Sequence, residues 1–566
     1  MASVMFPILI TMRQWLKTDR AIDWLWSGGL FAAALLLCWI NLGDLPLRDW
    51  DEGTVAAVAR EIWRSPLDSQ TWLYPTLWGK PYFNKPTLVH TLIVAAYEMA
   101  GVNEWTSRLP GATLTACSVP LLYSVGRELF RRRASAVFAA LVYLTSLPIV
   151  RHGRLAMLDG ALICFVLGMM LCVLRSRRDS RYALGVGIGL SLVCLTKGGL
   201  VGVLFSAIAI AFLWWDTPRL LISPPMWIGV IIGGLPIGAW YVAQWKYYGA
   251  VFLSTNLVDQ SLRRVWQPVE SNTAPPWFYL VELLKYGFPW LLFLPQGVHH
   301  AWENRNLSWA KFALVWSGMY FLTISAMMTK LPWYVLPIYP ALALLVGAQL
   351  TVLWDKGNHV GVKHTPEPYA PSWIGVFVGL AAIAGAGSLY FTLSAHRDLE
   401  LQIILAIVAL TSVAVARLIA LQNPRFLTVL IWGCYLALLG LMVSSHWVWE
   451  LAESYPVKPV AQMVQRSVPV GQPVFTTDPI ERPSLNFYSD RRVIPASTQR
   501  MQRQWQRKQN PYFLLDNKTL SNFELQPIKI IDTAQGWTLV TRSDLLDSDP
   551  ALPRTLTMLV DPPTGF

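Results

Sequence analysis

The sequence RDWDEGT at residues 48–54, followed by WGKPYFNKP at residues 78–86, forms a polar stretch between two long apolar segments. It contains an acidic pair, Asp51 and Glu52, and two lysines, Lys80 and Lys85. Residues 54–64 predict a short amphipathic helix, because their apolar side chains recur at helical spacing. Such a helix, flanked by tryptophans, is typical of a membrane interface. The stretch therefore predicts a membrane protein whose first loop holds carboxylates at the level of the lipid headgroups.

The acidic pair has two interpretations. Asp51 and Glu52 could simply be the N-terminal charges of the helix, where carboxylates interact favourably with the helix dipole. They could instead contact a substrate. The pair by itself does not decide between these interpretations.

Composition places the whole chain in the membrane class. The 566 residues are 54% hydrophobic and 14% charged, and the mean hydropathy is +0.40. We predict an all-α polytopic membrane protein with about 13 transmembrane helices. All six cysteines fall inside predicted spans, so neither a disulfide framework nor a cysteine metal site is expected. The predicted spans are 22–43, 106–128, 134–150, 158–174, 183–196, 198–215, 226–246, 277–297, 308–328, 332–353, 372–394, 400–421 and 425–447.

Short basic loops predict the orientation. Arginine clusters follow the second and fourth spans, at 127–133 and 175–181, and cytoplasmic loops are enriched in Arg and Lys. The N-terminus is then cytoplasmic, and an odd number of spans places the C-terminus outside. The net charge of +12 lies largely in such loops, which favours anionic lipid over nucleic acid as the partner.

The composition changes near residue 450. We predict a transmembrane domain at 1–449, with interfacial helices in the first outside loop (44–105), and an extracytoplasmic α/β domain at 450–566. Helices are predicted at 459–468 and 498–508. Strands are predicted at 474–477, 493–495, 512–516, 528–532 and 537–541. This domain has no phosphate-binding glycine loop and no metal signature.

Four outside loops share an unusual set of cations, tyrosines and carboxylates. Asp159 begins an apolar helix, where a carboxylate is costly unless it is paired or used; helix capping is its ordinary explanation. The basic residues could likewise anchor the protein at the membrane interface. As a group, the set suits binding of a lipid phosphate. Its members outside the first loop are Arg151, Arg154, Asp159, Lys197, Arg263, Arg264, Lys330 and Tyr334.

Several motifs resemble those of one family of membrane enzymes. They are the acidic pair at 51–52, GKPYFNKP at 79–86, SRLP at 107–110, GRELF at 126–130, RLAMLD at 154–159, TKG at 196–198 and KLPWYVLP at 330–337. In this order they resemble glycosyltransferases of the GT-C fold. The similarity is to glycosyltransferase family 39, the protein O-mannosyltransferases, and more closely to the lipid A aminoarabinose transferases. The chain differs from the latter at Thr54, where they have Arg, and at Asn84, where they commonly have Glu.

The resemblance implies an inverting transfer of a sugar from a polyprenyl-phosphate carrier to an acceptor outside the inner membrane. That acceptor would be a lipid A-like lipid, a glycan or a protein. The resemblance makes Asp51 the first candidate catalytic carboxylate, with Asp159 and Glu52 as further acidic candidates. The candidate substrate-binding residues are Tyr82, Lys85, Arg154, Lys197, Arg263, Arg264, Lys330 and Tyr334. No metal ligand set is predicted, and the use of a divalent cation is left open.

A transporter or flippase of a lipid-linked or anionic substrate is the alternative function. Charged residues in membrane regions often mark a transport path. Transporters commonly have repeated halves and broken helices near the midplane, however, and here the charges lie in loops on one side. The sequence therefore favours an enzyme.

Overall fold

A computed structural model describes residues 19–49, 51–268, 272–358, 369–393, 397–448, 457–506, 511–521 and 528–542. Within these ranges the chain divides into two compact units. The first contains residues 19–47 and 58–448, and the second contains residues 48–57 and 457–542.

The described part of the first unit is mainly helical and contains a two-stranded hairpin. The hairpin is β1 (Thr76–Leu77) paired antiparallel with β2 (Lys80–Pro81). Helix α2 (Asp51–Arg64) begins in the second unit and continues into the first. The helices before residue 250 are α1 (Asp19–Trp39), α2, α3 (Leu88–Ala100), α4 (Glu104–Leu129), α5 (Arg133–Leu144), α6 (Leu147–Arg154), α7 (Asp159–Ser176), α8 (Tyr182–Lys197), α9 (Gly199–Asp216) and α10 (Pro224–Tyr248).

The remaining helices of this unit include several short or irregular segments. A π-helical segment, Ser254–Leu262, lies between two one-turn helices, and a 3-10 segment, Pro332–Ile338, leads into a long helix. The helices are α11 (Ala250–Leu253), α12 (Arg263–Trp266), α13 (Phe278–Tyr286), α14 (Leu294–Glu303), α15 (Ser308–Ala326), α16 (Tyr339–Asn358), α17 (Pro371–Leu393), α18 (Leu399–Ala420) and α19 (Phe426–Val443).

The predicted all-α membrane architecture is confirmed. Among the described residues, eight helices are long and apolar enough to cross a membrane, or nine if the bent pair α5–α6 forms one span. Each overlaps a predicted interval. The predicted count of about 13 is higher, chiefly because α4, α8 and α15 are less apolar or shorter. The interval 277–297 is not one helix: it breaks at Gly287–Pro289, where proline cannot continue the hydrogen-bond ladder.

Two buried arginines, Arg108 and Arg154, connect segments inside the first unit through hydrogen bonds to backbone carbonyls. Arg108, on α4, donates to the carbonyls of Leu42, Leu45 and Pro46 at 2.7–3.0 Å. Its guanidinium also lies 4.9 Å from the ring of Trp447. A guanidinium can bind several carbonyls at once because it carries five donors in a fixed plane. The SRLP motif thus fixes the chain just before the acidic stretch.

The second unit contains a mixed sheet in the order β4-β3-β5-β7-β6. Strand β3 is parallel to both β4 and β5, whereas β7 is antiparallel to β5 and β6. The elements predicted from residue 457 onward are present within two residues of their predicted bounds. They are helices α20 (Val457–Ser467) and α22 (Thr498–Gln506), and strands β3 (Val474–Thr476), β4 (Val493–Pro495), β5 (Tyr512–Asp516), β6 (Ile528–Ala534) and β7 (Trp537–Arg542). Two further helices, α21 (Pro483–Ser489) and α23 (Asn517–Ser521), were not predicted.

Candidate active site

A cavity of about 530 Å³ lies in the first unit, between α7, α9, α15 and the π-helical segment. One part of its wall is basic and aromatic. The rest is apolar and comes mainly from α9 and α15. The lining residues are Lys85, Leu162, Lys197, Leu200, Val201, Val203, Leu204, Ala207, Gln260, Ser261, Arg264, Val265, Trp266, Met319, Tyr320, Thr323, Ile324, Ala326, Met327, Trp333, Tyr334 and Pro337.

Three predicted cations meet at this cavity, although they are far apart in the chain. Lys85 follows the β1–β2 hairpin, Lys197 ends α8, and Arg264 lies on α12. Arg264 donates to the hydroxyl of Tyr334 at 3.2 Å and to the amide oxygen of Gln260 at 2.9 Å. The ammonium of Lys197 lies 5.6 Å from the centre of the Tyr334 ring. The structure therefore joins four of the predicted substrate-binding residues in one place.

Asp159 forms an ion pair with Lys197 and is not a helix cap. Its side chain is 3% exposed, and that of Lys197 is 11% exposed. Asp159 is the first residue of α7, so it also lies at the positive end of that helix. Because the carboxylate is buried beside the ammonium, the pair orients the Lys197 side chain at the cavity wall.

The loop that carries Lys85 is fastened to α10 and to the π-helical segment. Gln244 donates to the carbonyl of Leu73 at 2.6 Å, and Tyr74 stacks on Tyr247 with ring centres 4.1 Å apart. Asn256, which is 3% exposed, donates to the carbonyl of Phe83 at 2.8 Å. These contacts fix the backbone two residues before Lys85.

A chain of hydrogen bonds connects the two lysine-bearing turns. The amide of Gly199, next to the Lys197 turn, donates to the Tyr241 hydroxyl at 3.2 Å. That hydroxyl donates to the side-chain oxygen of Asn256 at 3.4 Å, and Asn256 reaches the Lys85 loop through Phe83. Sequence reasoning missed Tyr241. Its position inside an apolar span was a usable signal, since a buried tyrosine hydroxyl usually finds a partner.

The acidic pair belongs to the second unit. Asp51 is the first residue of α2 and is half-buried, whereas Glu52 is fully buried and accepts a hydrogen bond from the Arg48 amide at 2.9 Å. Glu52 therefore holds the turn that precedes the helix. That Asp51 is catalytic stays a prediction.

The predicted role of Arg154 in substrate binding does not fit its position. The predicted outside loop at 148–159 is largely helix α6, and Arg154 on it is 0% exposed. Its guanidinium donates to the carbonyls of Leu37 at 2.5 Å and Ile40 at 2.6 Å. It also lies 4.3 Å from the Trp447 ring. Arg154 is occupied in holding α1 and the end of the membrane unit together, which corrects the sequence-based expectation.

Three further predicted residues lie outside the cavity wall. The buried Lys330 ammonium donates to the carbonyls of Ile324 and Ser325 at 3.0 and 2.6 Å, and to that of Met327, so it caps the end of α15. Arg263 is exposed and pairs with Asp259 at 3.6 Å. Tyr82 packs edge-on against His90, with ring centres 5.7 Å apart. The sequence motifs thus contain polar residues with different surroundings, and only the folded structure shows which of them line the cavity.

One group of possible metal ligands occurs among the described residues. Asp398, Glu400 and His446 bring their ligand atoms within 4.8 Å of one another. His446 already lies 2.8 Å from the Asp398 carboxylate, and Glu400 accepts two hydrogen bonds from Ser445 at 2.8 Å. These side chains thus already have hydrogen-bond partners near the start of α18.

Comparisons with known proteins find similarities in sequence and in fold. The profile of the dolichyl-phosphate-mannose-protein mannosyltransferase family matches residues 29–272. An undecaprenyl phosphate-alpha-4-amino-4-deoxy-L-arabinose arabinosyl transferase 2 from Pseudomonas fluorescens is 27% identical over 70% of this chain and 71% of its own length. The crystal structure of ArnT from Cupriavidus metallidurans bound to undecaprenyl phosphate superposes with a TM-score of 0.71 at 18% identity, over 93% of this chain and 98% of that one. The chain has the GT-C fold.

Other relatives align with a smaller part of the chain. A transferase of the same name from Pectobacterium carotovorum is 28% identical over 57% of this chain and 60% of its own length. A second one from Pseudomonas fluorescens aligns over 55% of its length.

Proposed function

We propose that this GT-C protein is a glycosyltransferase that takes its sugar from a polyprenyl-phosphate carrier and transfers it to an acceptor outside the cytoplasmic membrane. The observation that carries the proposal is the composition of the cavity. Lys85, Lys197 and Arg264 supply positive charge at one part of the wall, and α9 and α15 supply a long apolar surface beside it. A lipid phosphate likewise has a charged head attached to an apolar chain.

The apolar wall also provides a route for the lipid tail. Val203 and Trp266 line the cavity and are 66% and 75% exposed, so the cavity opens at the surface of the unit. Ile210 and Trp214, on the same helix as Val203, are exposed as well. A polyprenyl chain entering from the bilayer would therefore meet apolar side chains outside and inside the opening.

The cations would assist departure of the carrier phosphate. As the bond between the sugar and the phosphate breaks, negative charge grows on the phosphate oxygen. Hydrogen-bond donors that are already in place where negative charge develops commonly contribute the largest catalytic effect. Loss of one such donor lowers the rate about 10²- to 10³-fold. Tyr334 would help by keeping Arg264 in place.

The acceptor decides what Asp51 does. If the acceptor is a hydroxyl group, Asp51 acts as general base, a role worth about 10²- to 10⁴-fold. If the acceptor is a phosphate, as on a lipid A-like lipid, no base is needed and Asp51 orients the reactants. We propose 4-amino-4-deoxy-L-arabinose as the first sugar to test, because the relatives are named for it.

The proposed orientation follows the arginine-rich loops. The N-terminus lies in the cytoplasm, and the second unit lies on the outer side of the inner membrane. A reporter enzyme active only outside the cytoplasm, fused after residue 566, tests this. Activity of the fusion supports the orientation, and inactivity with normal expression contradicts it.

The decisive experiment is transfer by purified protein in vesicles. Undecaprenyl-phosphate aminoarabinose and an undecaprenyl-phosphate hexose serve as donors, lipid A serves as acceptor, and mass spectrometry detects the product. Lys85→Ala should abolish most transfer, whereas Lys80→Ala, an exposed lysine of the same loop, should not. Movement of the donor across the bilayer without any sugar transfer would instead identify a flippase.

A further inference from the structure

The segment that carries the acidic pair packs with the C-terminal domain. Residues 48–57 and the described part of the chain from 457 to 542 form one compact unit, although some 400 residues separate them in sequence. The sequence of the C-terminal domain contains no motif that indicates a catalytic activity of its own. Its contacts with this segment therefore require a functional explanation.

Asp49 is the first point of contact. Its side chain is 5% exposed, and the guanidinium of Arg482 donates to it at 2.9 Å. The backbone amide of Ser484 donates to the other carboxylate oxygen at 3.1 Å, and the Ser484 hydroxyl makes a further hydrogen bond to it. Hydrogen bonds to an ionised group are stronger than neutral ones, so three donors hold Asp49 firmly.

Arg482 is itself fixed by a second acid. Its Nε atom donates to Asp478 at 3.1 Å. Burial alone would lower the pKa of Arg482, but the hydrogen bonds to Asp49 and Asp478 outweigh it and raise the pKa. Arg482 therefore stays charged beside Asp49 across the physiological pH range.

Gly53 is the second point of contact. A Cβ atom at this position would lie 2.5 Å from the amide nitrogen of Ser484 and 2.7 Å from the carbonyl carbon of Pro483. The first turn of α2 thus touches the backbone at the start of α21, with no space for a side chain. The Gly53 amide also donates to the Arg48 carbonyl at 3.0 Å, which closes the turn around Asp51.

We propose that the C-terminal domain is a positioning element for the acidic pair: residues 482–484 hold Asp49 and Gly53, and so fix Asp51 between them. This inference rests on the proposed function, in which Asp51 acts on the reactants. A displacement of a reacting group by about 1 Å can cost about 10²-fold in rate. Contacts on both sides of Asp51 restrict such a displacement.

The test separates positioning from stability through a double-mutant cycle. Asp49→Asn should lower the kcat of sugar transfer about 10- to 100-fold and leave the Kd for undecaprenyl phosphate within about twofold. In an Asp51→Asn background, Asp49→Asn should cause little further loss, because its effect passes through Asp51. Arg482→Lys should retain more activity than Asp49→Asn, because it keeps the charge.

The control breaks a different ion pair in the same domain. Arg466 on α20 pairs with Asp532 on β6 at 2.5 Å and is largely exposed. Arg466→Gln should leave kcat unchanged. Gly53→Ala provides a variant that alters the second contact without changing charge, in case Asp49→Asn does not fold; it should also lower kcat selectively.

Three results would overturn the inference, and those that refute it alone are distinguishable from failure of the proposed function. If the wild-type protein transfers sugar and the folded Asp49 and Gly53 variants do so equally well, the positioning role is wrong while the proposed function stands. Losses of kcat that are fully additive with Asp51→Asn also refute the positioning role alone. If the wild-type protein transfers no sugar, the proposed function fails and the inference fails with it.

Discussion

Asp159 and Lys197, at the start of α7 and the end of α8, form a buried ion pair at the wall of the cavity. The ion pair explains how two charged residues can lie at the ends of apolar helices. A buried carboxylate or ammonium without a partner is costly, whereas a pair satisfies both charges. The two residues also have different positions, since Lys197 lines the cavity and Asp159 lies behind it.

This pairing predicts that stability and activity can be separated. Asp159→Asn leaves the Lys197 ammonium buried without its counter-charge and should destabilise the protein by about 3 kcal/mol. The double variant Asp159→Asn/Lys197→Met should recover most of that loss, because no charge is then buried. Its sugar transfer should remain at least about 10²-fold low. Thermal unfolding of purified protein and a transfer assay measure the two effects; recovery of activity in the double variant would refute a role for Lys197 at the phosphate.

Two adjacent arginines should behave differently. Arg264 lines the cavity and bonds to Tyr334, whereas Arg263 is exposed beside Asp259. We expect Arg264→Gln to lower transfer about 10²-fold and Arg263→Gln to leave it nearly unchanged. Both substitutions remove one positive charge, so each is the matched control for the other. Equal losses in the two variants would show that the cavity does not hold the phosphate.

The hydrogen-bond chain predicts a selective effect of Tyr241→Phe. Loss of the hydroxyl deprives the Gly199 amide of its acceptor and releases Asn256, at a cost of about 1 kcal/mol. If this loss of free energy weakens phosphate binding by displacing the two lysines, the Kd for undecaprenyl phosphate should rise about fivefold. Tyr435→Phe is the control, since it removes a hydroxyl that donates to the Ala33 carbonyl at 3.0 Å elsewhere in the unit. An unchanged Kd in Tyr241→Phe would contradict the proposed link.

Asp398 predicts a pH-dependent contribution to stability at the start of α18. The Leu401 amide donates to it and His446 lies beside it, and these contacts lower the pKa of Asp398 below its ordinary value of 3.8, although partial burial acts in the opposite direction. A carboxyl whose pKa is lower in the folded state stabilises the protein above its unfolded pKa. That contribution is lost as the pH falls through the folded value.

Asp398→Ala should therefore destabilise the protein by about 1 kcal/mol at neutral pH, and the difference should shrink below about pH 4. Asp398→Asn is the control, because asparagine can still cap the helix but carries no charge that titrates. Its loss at neutral pH should be the smaller of the two. Melting curves between about pH 3 and pH 7 measure both, and a difference that does not depend on pH would contradict the prediction.

Several features of this protein could be predicted from local sequence. The apolar windows that became α1, α7 and α17–α19 are long and continuous, so their helical structure does not depend on neighbours. The strands after residue 473 are short runs bounded by turn residues. By contrast, the interval 277–297 resembles one span by hydropathy alone, but Pro289 interrupts it.

The candidate site was only partly predictable, for a physical reason. Lys197 and Lys330 both follow apolar helices, yet Lys197 faces the cavity and Lys330 caps α15. Arg154 and Arg264 were predicted alike, and only Arg264 lines the cavity. Each outcome depends on which carbonyls or carboxylates distant parts of the chain bring nearby.

The sequence by itself determined the membrane class, the order of the helices and the presence of an α/β region near the C-terminus, because hydropathy and turn residues act over short distances. The tertiary structure alone decided which cations share a wall with Tyr334 and which arginines are enclosed by carbonyls. It alone also joined Asp49 to Arg482. Burial of a charge requires a partner, and in this chain those partners are supplied from positions tens to hundreds of residues away.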